Sequence, residues 1–478
     1  MIATFASPVT HLRTMNHWHG KRVLIVGAAR QGTALAAYLT RQGAAVVIND
    51  RRTPQEIPEA RARLADAPVE WAFGGHPLEL LEGVDLVCPS GGVPLDLPLI
   101  AEARRRGIPL SNDSQIFLET APCPVIGITG SAGKTTTTTL VGRIMQQHIR
   151  QPAAVFVGGN IGNPLIAELE QMTPGDLAVM ELSSFQLDIM TRSPQVAALL
   201  NLTPNHLDRH HTMQAYTAAK AHILDFQGPE DTAILNRDDP GAWGLRSHVR
   251  GRLLTFGRQP LRKPLPLPWA GDVFVNREAV TLWDGQTETV VMPRSEVLLR
   301  GEHNLMNVLA ACAIAFASGA SPEAMRAGVR GFRGVAHRLE FVRRLRGVDW
   351  YNDSIATAPE RAMAGIRSFD EPLVLLAGGR DKDLPWDDFV DLVCERVDHL
   401  IVFGETAGMI ERKVRRKRAQ RPYTLERCRG LRDAVQAAGR TASAGDVVLL
   451  SPGGASFDEF RDFAERGERF KQWVMALE

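Results

Sequence analysis

The sequence predicts an α/β chain of three domains, on three observations. Apolar β runs repeatedly end in glycine or polar residues and hand over to helical patterns. That rhythm restarts twice, at "CPVIGITG" and after "FRGVAHRLEFV". The 478 residues exceed what one hydrophobic core organises and suit three domains of roughly 150 residues each.

In the first domain, residues 20–118, "KRVLIVGAARQGTALAAYLTRQGAAVVIND" reads as strand, glycine turn, helix and a second strand ending at Asp50. Val23 to Val26 is the apolar β run, Thr33 to Thr40 has helical spacing, and "VEWAF" and "VDLVCPSGG" supply further strands. The second domain, residues 119–334, opens on "CPVIGITG" and continues through "LAVMELSSFQL", "VAALLNLTPNH" and "TAILNRDDP", each a strand with a polar end. Such carboxyl ends are where open parallel sheets bind ligands. The proline-rich "RQPLRKPLPLPWAGD" is expected to be an irregular loop before short strands, and "HNLMNVLAACAIAFASG" a closing helix. In the third domain, residues 335–478, strands are expected at "DWYNDSIATAP", "LVLLAGGRDKD", "HLIVFGETAG" and "DVVLLSPGGASFDEF".

Composition narrows the function classes. Hydrophobic content of 44%, charged content of 23% and a net charge of +1 describe an ordinary globular protein with no field favouring nucleic acid or acidic membranes. The five cysteines (Cys88, Cys123, Cys312, Cys394 and Cys428) lack metal spacing and point to a reducing compartment. No segment reaches the ~18 apolar residues of a membrane span. The histidine-rich start lacks the apolar core of a signal peptide, so residues 1–19 are read as a loose tail and the protein as cytoplasmic. The run "ERKVRRKRAQR" (411–421) is read as a solvated helix face, lacking the aromatics of a nucleic-acid site.

"GITGSAGKTTTTTL" (127–140) carries the chemistry. Strand, glycine loop and helix aim backbone N–H groups and a helix N-terminus at an anion. Gly130, Ser131, Ala132, Gly133, Lys134, Thr135 and Thr136 form the expected phosphate cradle, with Lys134 on the β- and γ-phosphates and the Thr135 hydroxyl toward Mg²⁺. The spacing departs from G-x-x-x-x-G-K-[ST], since Ile128 stands where that pattern needs its first glycine. Ser131-x-x-Lys134 also matches a penicillin-binding nucleophile, but no Ser-Asp-Asn or Lys-Thr-Gly triplet accompanies it. Glu181 closes the next strand, where a magnesium carboxylate would stand, and His206 closes the one after. Lys220 follows in "YTAAKAHIL", four residues after Tyr216. Taken singly, each is a solvated carboxylate, a hydrogen-bonded histidine or a surface lysine. His206, His210 and His211 lack the partners a zinc site needs.

In this order the motifs resemble the Mur ligases, the ATP-dependent amide-bond formers of peptidoglycan precursor synthesis. "GITGSAGKTTT" is similar to their TG-x-x-GK-[ST] loop, and "GGNIGNP", "ELSSFQL", "NHLDRH", "YTAAK", "GEHNLMNVLAA", "HRLE" and "NDSIAT" continue the pattern from about residue 21 to the C-terminus. "ELSSFQL", the first domain and "SPGGASFDEF" favour the branch that adds glutamate to UDP-N-acetylmuramoyl-L-alanine. The resemblance implies a Rossmann-like first domain, a P-loop-type ATP-binding central domain and a Rossmann-like third domain in a monomer.

It also implies roles. Lys134 and Thr135 hold ATP phosphates and magnesium, and Glu181 and His206 bind two Mg²⁺ ions. Lys220 is carbamylated into a further metal-binding carboxylate. Asn160 contacts the substrate, Asn304 and Asn307 the adenine-ribose region, and Arg338 and Asp353 the ATP. Thr357, Lys382, Ser456, Phe457 and Phe463 surround the incoming glutamate. Arg30, Gln31, Asp50, Ser90 and Gly91 form the uridine pocket. One departure stands out. Where the branch commonly has lysine, "NDSIAT" has Ile355, which cannot make a charge-assisted hydrogen bond of the ~1.5–3 kcal/mol class. D-glutamate is the expected donor, with L-glutamate the alternative.

Other classes fit less well. "VGAARQG" imitates a dinucleotide fingerprint, but Gly27-Ala28-Ala29 replaces its G-x-G, against a dehydrogenase. A nucleotide-switch ATPase needs no separate nucleotide-sugar domain. A folylpolyglutamate-type ligase lacks the extra N-terminal domain.

Overall fold

The computed structural model describes residues 17–261, 269–382, 384–417 and 423–478. They form two compact units, the described parts of Met1–Leu298 with Glu302–Phe332, and of Leu299–Gly301 with Arg333–Glu478.

The first unit holds two sheets. The smaller comprises β1 (Arg22–Val26), β2 (Ala45–Asp50), β3 (Val69–Phe73) and β4 (Leu86–Pro89), all parallel in the order β3-β2-β1-β4. Val23, Leu24, Ile25 and Val26 are wholly buried. Helices cover both faces of a parallel sheet, so its strands read as unbroken apolar runs rather than alternating ones. The chain leaves β1 through Gly27, at a φ of +97°, and enters the helix Arg30–Arg41. A Cβ on Gly32 would sit 2.1 Å from the Gly27 carbonyl oxygen, so only glycine lets this helix start so close to the strand. Residues 17–19 are not the tail expected of them. Trp18 packs against the apolar core, and its carbonyl accepts from the Lys21 N–H at 3.1 Å. The expected tail at residues 1–16 lies outside the described residues.

The larger sheet has nine strands. They are β5 (Val125–Thr129), β6 (Val155–Gly159), β7 (Leu177–Glu181), β8 (Val196–Leu199), β9 (Thr232–Asn236), β10 (Arg252–Phe256), β11 (Trp269–Asn276), β12 (Ala279–Trp283) and β13 (Glu288–Pro293). Their order is β13-β12-β11-β10-β9-β8-β5-β7-β6, parallel except for the β11-β12-β13 meander. Trp269 already lies in β11, so the expected irregular loop ends sooner than its proline run suggests, and residues 262–268 lie outside the described residues. Chain order reverses around β5, which pairs with β7 on one side and β8 on the other. Such a switch point opens a crevice at the strand carboxyl ends. The two sheets share one buried cluster, running from Val23 and Leu35 to Met180 and Leu199. The Asn112 amide donates to the Gln186 carbonyl at 2.9 Å and the Gln186 amide to Ser114 Oγ at 2.7 Å, locking the helix Asp113–Thr120 onto the larger sheet.

The second unit has a six-stranded sheet. Its strands are β14 (Glu340–Leu345), β15 (Val348–Asn352), β16 (Leu373–Gly378), β17 (His399–Phe403), β18 (Thr424–Arg427) and β19 (Val447–Gly453), ordered β14-β15-β19-β16-β17-β18. Only β14 runs antiparallel, and the sequence reading missed it because its side chains are mostly half-buried and polar. Tyr351, Trp386 and Phe389 fill one face, and Trp350, Val435 and Phe470 the other. The basic run begins on the helix Ala407–Arg416, where Lys413 pairs with Asp387 at 2.9 Å and Arg415 with Glu411 at 3.0 Å. Its residues 418–421 lie outside the described residues. Among the described residues no helix is long and apolar enough to cross a membrane.

Gly32→Ala is expected to cost about 1–3 kcal/mol through overpacking. An earlier unfolding midpoint in urea than that of the exposed control Gly244→Ala, at a helical φ of −58° with no atom within 4 Å of the added Cβ, would report it.

Candidate active site

β5 ends at Thr129 and the helix Lys134–His148 begins five residues later, leaving a loop of residues 130–133. Gly133 caps the helix in the left-handed region at φ +80°, and a Cβ there would stand 2.2 Å from Asn307 Oδ1. The helix Glu302–Ala317 therefore presses Asn307 directly against the loop, while the Asn307 amide donates to Asn304 Oδ1 at 3.0 Å. Asn201, just past β8, fixes the loop from the other side. Its Oδ1 accepts from the Ala132 N–H at 2.8 Å, and its amide donates to the Ala132 carbonyl at 3.1 Å. The Ser131 hydroxyl bonds the Thr203 carbonyl at 2.9 Å and lies 2.9 Å from the Tyr216 hydroxyl. Ser131 is thus structural, in keeping with the rejection of a nucleophile role. The Lys134 ammonium folds over the loop and donates to the Gly130 carbonyl at 2.9 Å. Thr136, Thr137 and Thr138 are buried inside the helix despite poor helix propensity; tertiary packing holds them there.

Beside the loop, β7 ends in Glu181, which is opposite Ile128 of β5 in the sheet register. This carboxylate is 2% exposed. Its Oε1 accepts from the Asn160 amide at 3.0 Å, while Oε2 is buried with no partner. A buried carboxylate oxygen without a donor is costly. A divalent cation satisfies it, so the residues present fit the ion.

Lys220, on the helix Met213–Asp225, is 1% exposed and donates to Thr129 Oγ1 at 2.9 Å. Burial pushes its ammonium well below the ordinary lysine range, the Lys134 charge adds to this, and Glu181 opposes it. A lysine held neutral is a nucleophilic amine.

His206 caps the helix Leu207–His210 at φ +54° and meets the Phe185 ring edge-on at 5.1 Å. His210 is buried, 3.0 Å from Ser184 Oγ, and stacked on Phe185 at 5.3 Å. It is a packed filler. Among the described residues no group of three or more His, Cys, Asp or Glu side chains could hold a metal.

At the smaller sheet's carboxyl edge, Asp50 Oδ2 accepts from the Ala28 N–H at 2.8 Å, and Arg52 grips both carboxylate oxygens. Burial pushes this carboxyl up, but the Arg52 and Ala28 hydrogen bonds outweigh it and hold it well below the usual range. Ser90 Oγ donates to the Gly27 carbonyl at 2.8 Å, Gly91 lies beside the Gln31 side chain, and the Gln31 amide nitrogen is buried without a partner. Arg30 reaches the Asn160 carbonyl at 3.5 Å, so this edge adjoins Glu181's neighbour.

In the second unit, Lys382 Nζ donates to Thr357 Oγ1 at 3.1 Å. Ser456 is buried, Phe457 is 60% exposed, and Phe463 packs edge-on to His337 at 6.1 Å. Ile355 is half-buried, its N–H donating to the His337 carbonyl at 3.1 Å. Asp353, buried, accepts from Ser451 Oγ at 2.8 Å and the Leu339 N–H at 3.2 Å, with the Arg338 charge close by. The reading of the sequence missed Asn201, Thr203 and Thr129, whose only signal is their position within four residues of a strand's carboxyl end.

Burial raises the Asp353 carboxyl to about 7, against 3.8 ordinarily. The folded protein therefore binds a proton that the unfolded chain has released, and its stability falls as pH rises from about 4 to about 7. The stability difference between the parent and Asp353→Asn should shift over that window by up to ~4 kcal/mol and level off above it. Urea titrations at pH 4.5 and 7.5 check the sign.

Comparison with known proteins places this geometry. The Mur ligase MurD-like N-terminal domain matches residues 21–112, the Mur ligase middle domain residues 128–315, and the Mur ligase glutamate ligase domain residues 337–454. The UDP-N-acetylmuramoylalanine–D-glutamate ligase of Symbiobacterium thermophilum is 43% identical over 458 residues, covering 96% of this chain and 98% of the relative. The protein of the same name from Pelotomaculum thermopropionicum is 42% identical with the same coverage. Among solved structures, the UDP-N-acetylmuramate-alanine ligase MurC of Thermotoga maritima shares the fold at a TM-score of 0.55 and 19% identity, over 96% of this chain and 100% of that one. The MurF ligase of the same organism, solved in complex with ADP, does so at 0.53 and 17%, over 96% of each. Three domain matches in order and relatives above 40% identical over nearly the whole chain are decisive: the chain belongs to the Mur ligase family.

Proposed function

We propose that this chain is the ATP-dependent ligase that joins D-glutamate to UDP-N-acetylmuramoyl-L-alanine in peptidoglycan precursor synthesis. Its relatives carry that name across nearly their whole length. The observation that carries the chemistry is local. A glycine loop with Lys134, a buried Glu181 with an unpartnered oxygen and a buried Lys220 bonded to Thr129 gather at the carboxyl ends of adjacent strands.

Activation of a carboxylate fits this edge. The substrate's alanine carboxylate attacks the γ-phosphate of ATP, giving an acyl phosphate and ADP. The glutamate amine then attacks the acyl carbon, and the C–O bond to phosphate breaks. The backbone N–H groups of residues 130–135 and the Lys134 ammonium are suited to hold the phosphates. Thr135, Glu181, His206 and a carbamate on Lys220 would hold two Mg²⁺ ions, which supply charge neutralisation between two anions that otherwise repel. The carbamate forms when the Lys220 amine adds to CO₂ and releases a proton. Asn160 orients Glu181 by its amide and contacts the substrate. Asn304 and Asn307 serve the adenine-ribose end, and Arg338 and Asp353 the ATP from residues 335–478. Arg30, Gln31, Asp50, Ser90 and Gly91, within 20–118, take the uridine moiety. Thr357, Lys382, Ser456, Phe457 and Phe463 take the glutamate. The enzyme acts as a cytoplasmic monomer. Ile355 favours one second reading, in which L-glutamate is the donor.

Phosphate release with UDP-N-acetylmuramoyl-L-alanine, assayed with D- and L-glutamate in parallel, tests the reaction. D-glutamate-dependent release is expected, and release independent of any amino acid would refute the ligase reading. Lys134→Ala and Glu181→Ala should each abolish the glutamate-dependent signal. Lys220→Ala should also be inactive, with partial recovery on adding short carboxylic acids; parental turnover without rescue would rule out the carbamate.

A further inference from the structure

Asn49 and Asp50 close β2 at the carboxyl edge of the smaller sheet. In parallel nucleotide-binding sheets a carboxylate at the end of the second strand accepts from a ribose hydroxyl. Asp50 has no acceptor site left for that. A carboxylate offers about four lone-pair sites, and four donors take them here. The Arg52 N–H and Nε stand 3.0 and 2.9 Å from Oδ1, and the Ala28 N–H and Arg52 Nη2 each 2.8 Å from Oδ2. Asp50 thus holds the turn after β1 and fixes Arg52. An edge that orients a nucleoside then needs a second acceptor.

Asn49 prepares one. Its side chain is wholly buried, and its amide donates to the Ala72 carbonyl at 3.1 Å and the Gly75 carbonyl at 2.7 Å. Two carbonyl partners fix that amide, because a flip would set oxygen against oxygen. Oδ1 therefore faces His76, 2.5 Å from Nδ1, and as an acceptor it requires the ring proton on Nδ1. Nε2 is left with a lone pair and no hydrogen-bond partner among the described residues. Burial holds the imidazole below its ordinary 6.5, the Asp50 charge opposing and the Arg51 charge assisting, so the ring is neutral at neutral pH. The turn that carries His76 is tied to the same strand end, since the Gly74 N–H donates to the Asp50 carbonyl at 3.1 Å. A half-buried histidine with one nitrogen anchored and the other unpaired is an acceptor of fixed tautomer beside Asp50.

We propose that His76 accepts, through Nε2, a hydrogen bond from the nucleoside of the UDP-linked substrate, given by a ribose hydroxyl or by the base N–H. This inference rests on the assignment of Arg30, Gln31, Asp50, Ser90 and Gly91 as the uridine pocket. His76→Asn keeps an amide donor for Asn49 and brings nothing to the place of Nε2. Calorimetric titration with UDP-N-acetylmuramoyl-L-alanine should give a Kd about three- to tenfold weaker than the parent's, the loss of one neutral hydrogen bond. The KM for ATP should stay within about twofold, as in a folded protein. The 2′-deoxy, 3′-deoxy and N3-methyl forms of the substrate, titrated against both proteins, identify the donor. The form that lacks it should lose more affinity for the parent than for His76→Asn, a coupling that a purely structural role would not produce. Where His76→Asn does not fold, His76→Ala repeats the comparison. A parental Kd in the variant, or equal losses in both proteins for every analogue, would overturn the inference alone. Absence of binding of UDP-N-acetylmuramoyl-L-alanine to the unsubstituted protein would overturn the uridine pocket and the inference with it.

Discussion

A buried lysine with no carboxylate in contact sets the terms for the centre of this molecule. Among the described residues, Lys220 donates to the Thr129 hydroxyl and faces the Tyr216 ring 5.2 Å away. A charged ammonium in that position bears a desolvation cost that the Glu181 charge opposes without contact. Burial therefore disfavours the charged form of this amine. Neighbouring geometry depends on the same packing. Thr129, which accepts from Lys220, donates onward to the Leu182 carbonyl at 2.8 Å. Tyr216, one helical turn before Lys220, meets Ser131 in the loop. The helix Met213–Asp225 thereby fixes the last residue of β5, the start of the phosphate loop and the strand end bearing Glu181.

Backbone groups of that loop point at a ligand only if something holds them against thermal motion, and glycines supply no side chains to do so. Two asparagines take over. Asn201 pins Ala132 through both its amide groups, and Asn307 fills the space a Gly133 side chain would need. A third, Asn160, steadies Glu181 and offers its carbonyl to Arg30 of the neighbouring sheet. Asparagine suits these places because one planar amide both donates and accepts without adding charge to the loop.

Much of this was legible in the sequence, and the exceptions have physical causes. Strand, loop and helix at residues 125–148 follow from an apolar run meeting glycines. Residues whose role depends on chain-distant partners were not legible. Asn201 lies 69 residues from Ala132, and nothing in "LLNLTP" announces the pairing. The threonine run at residues 135–139 argues against a helix by propensity, yet burial outweighs it. Trp18 was hidden inside a histidine-rich start that otherwise resembles a tail, although a single indole against an apolar cluster suffices to anchor a chain. Conversely, the odd residue at 355 was visible at once, because a family pattern exposes a missing charge more readily than a present one.

The second unit shows what such a missing charge means for its surroundings. Arg466 is wholly buried yet bonded to neutral oxygens, and burial lowers its guanidinium to about 10 while Asp458 and Glu459 act only through space. Its donors tie the turn after β15 to the loop after β19, so the backbone beneath Thr357 and Ser456 is held by a cation. Lys382, bonded to Thr357, also feels the Arg466 charge. Such a surface is unfavourable empty, and its self-repulsion is relieved when a dianion arrives. Ile355, uncharged and half-buried, adds nothing to that repulsion. The field at such an edge depends on the number and burial of its cations more than on their sequence positions, so an isoleucine at 355 is compatible with the chemistry proposed above.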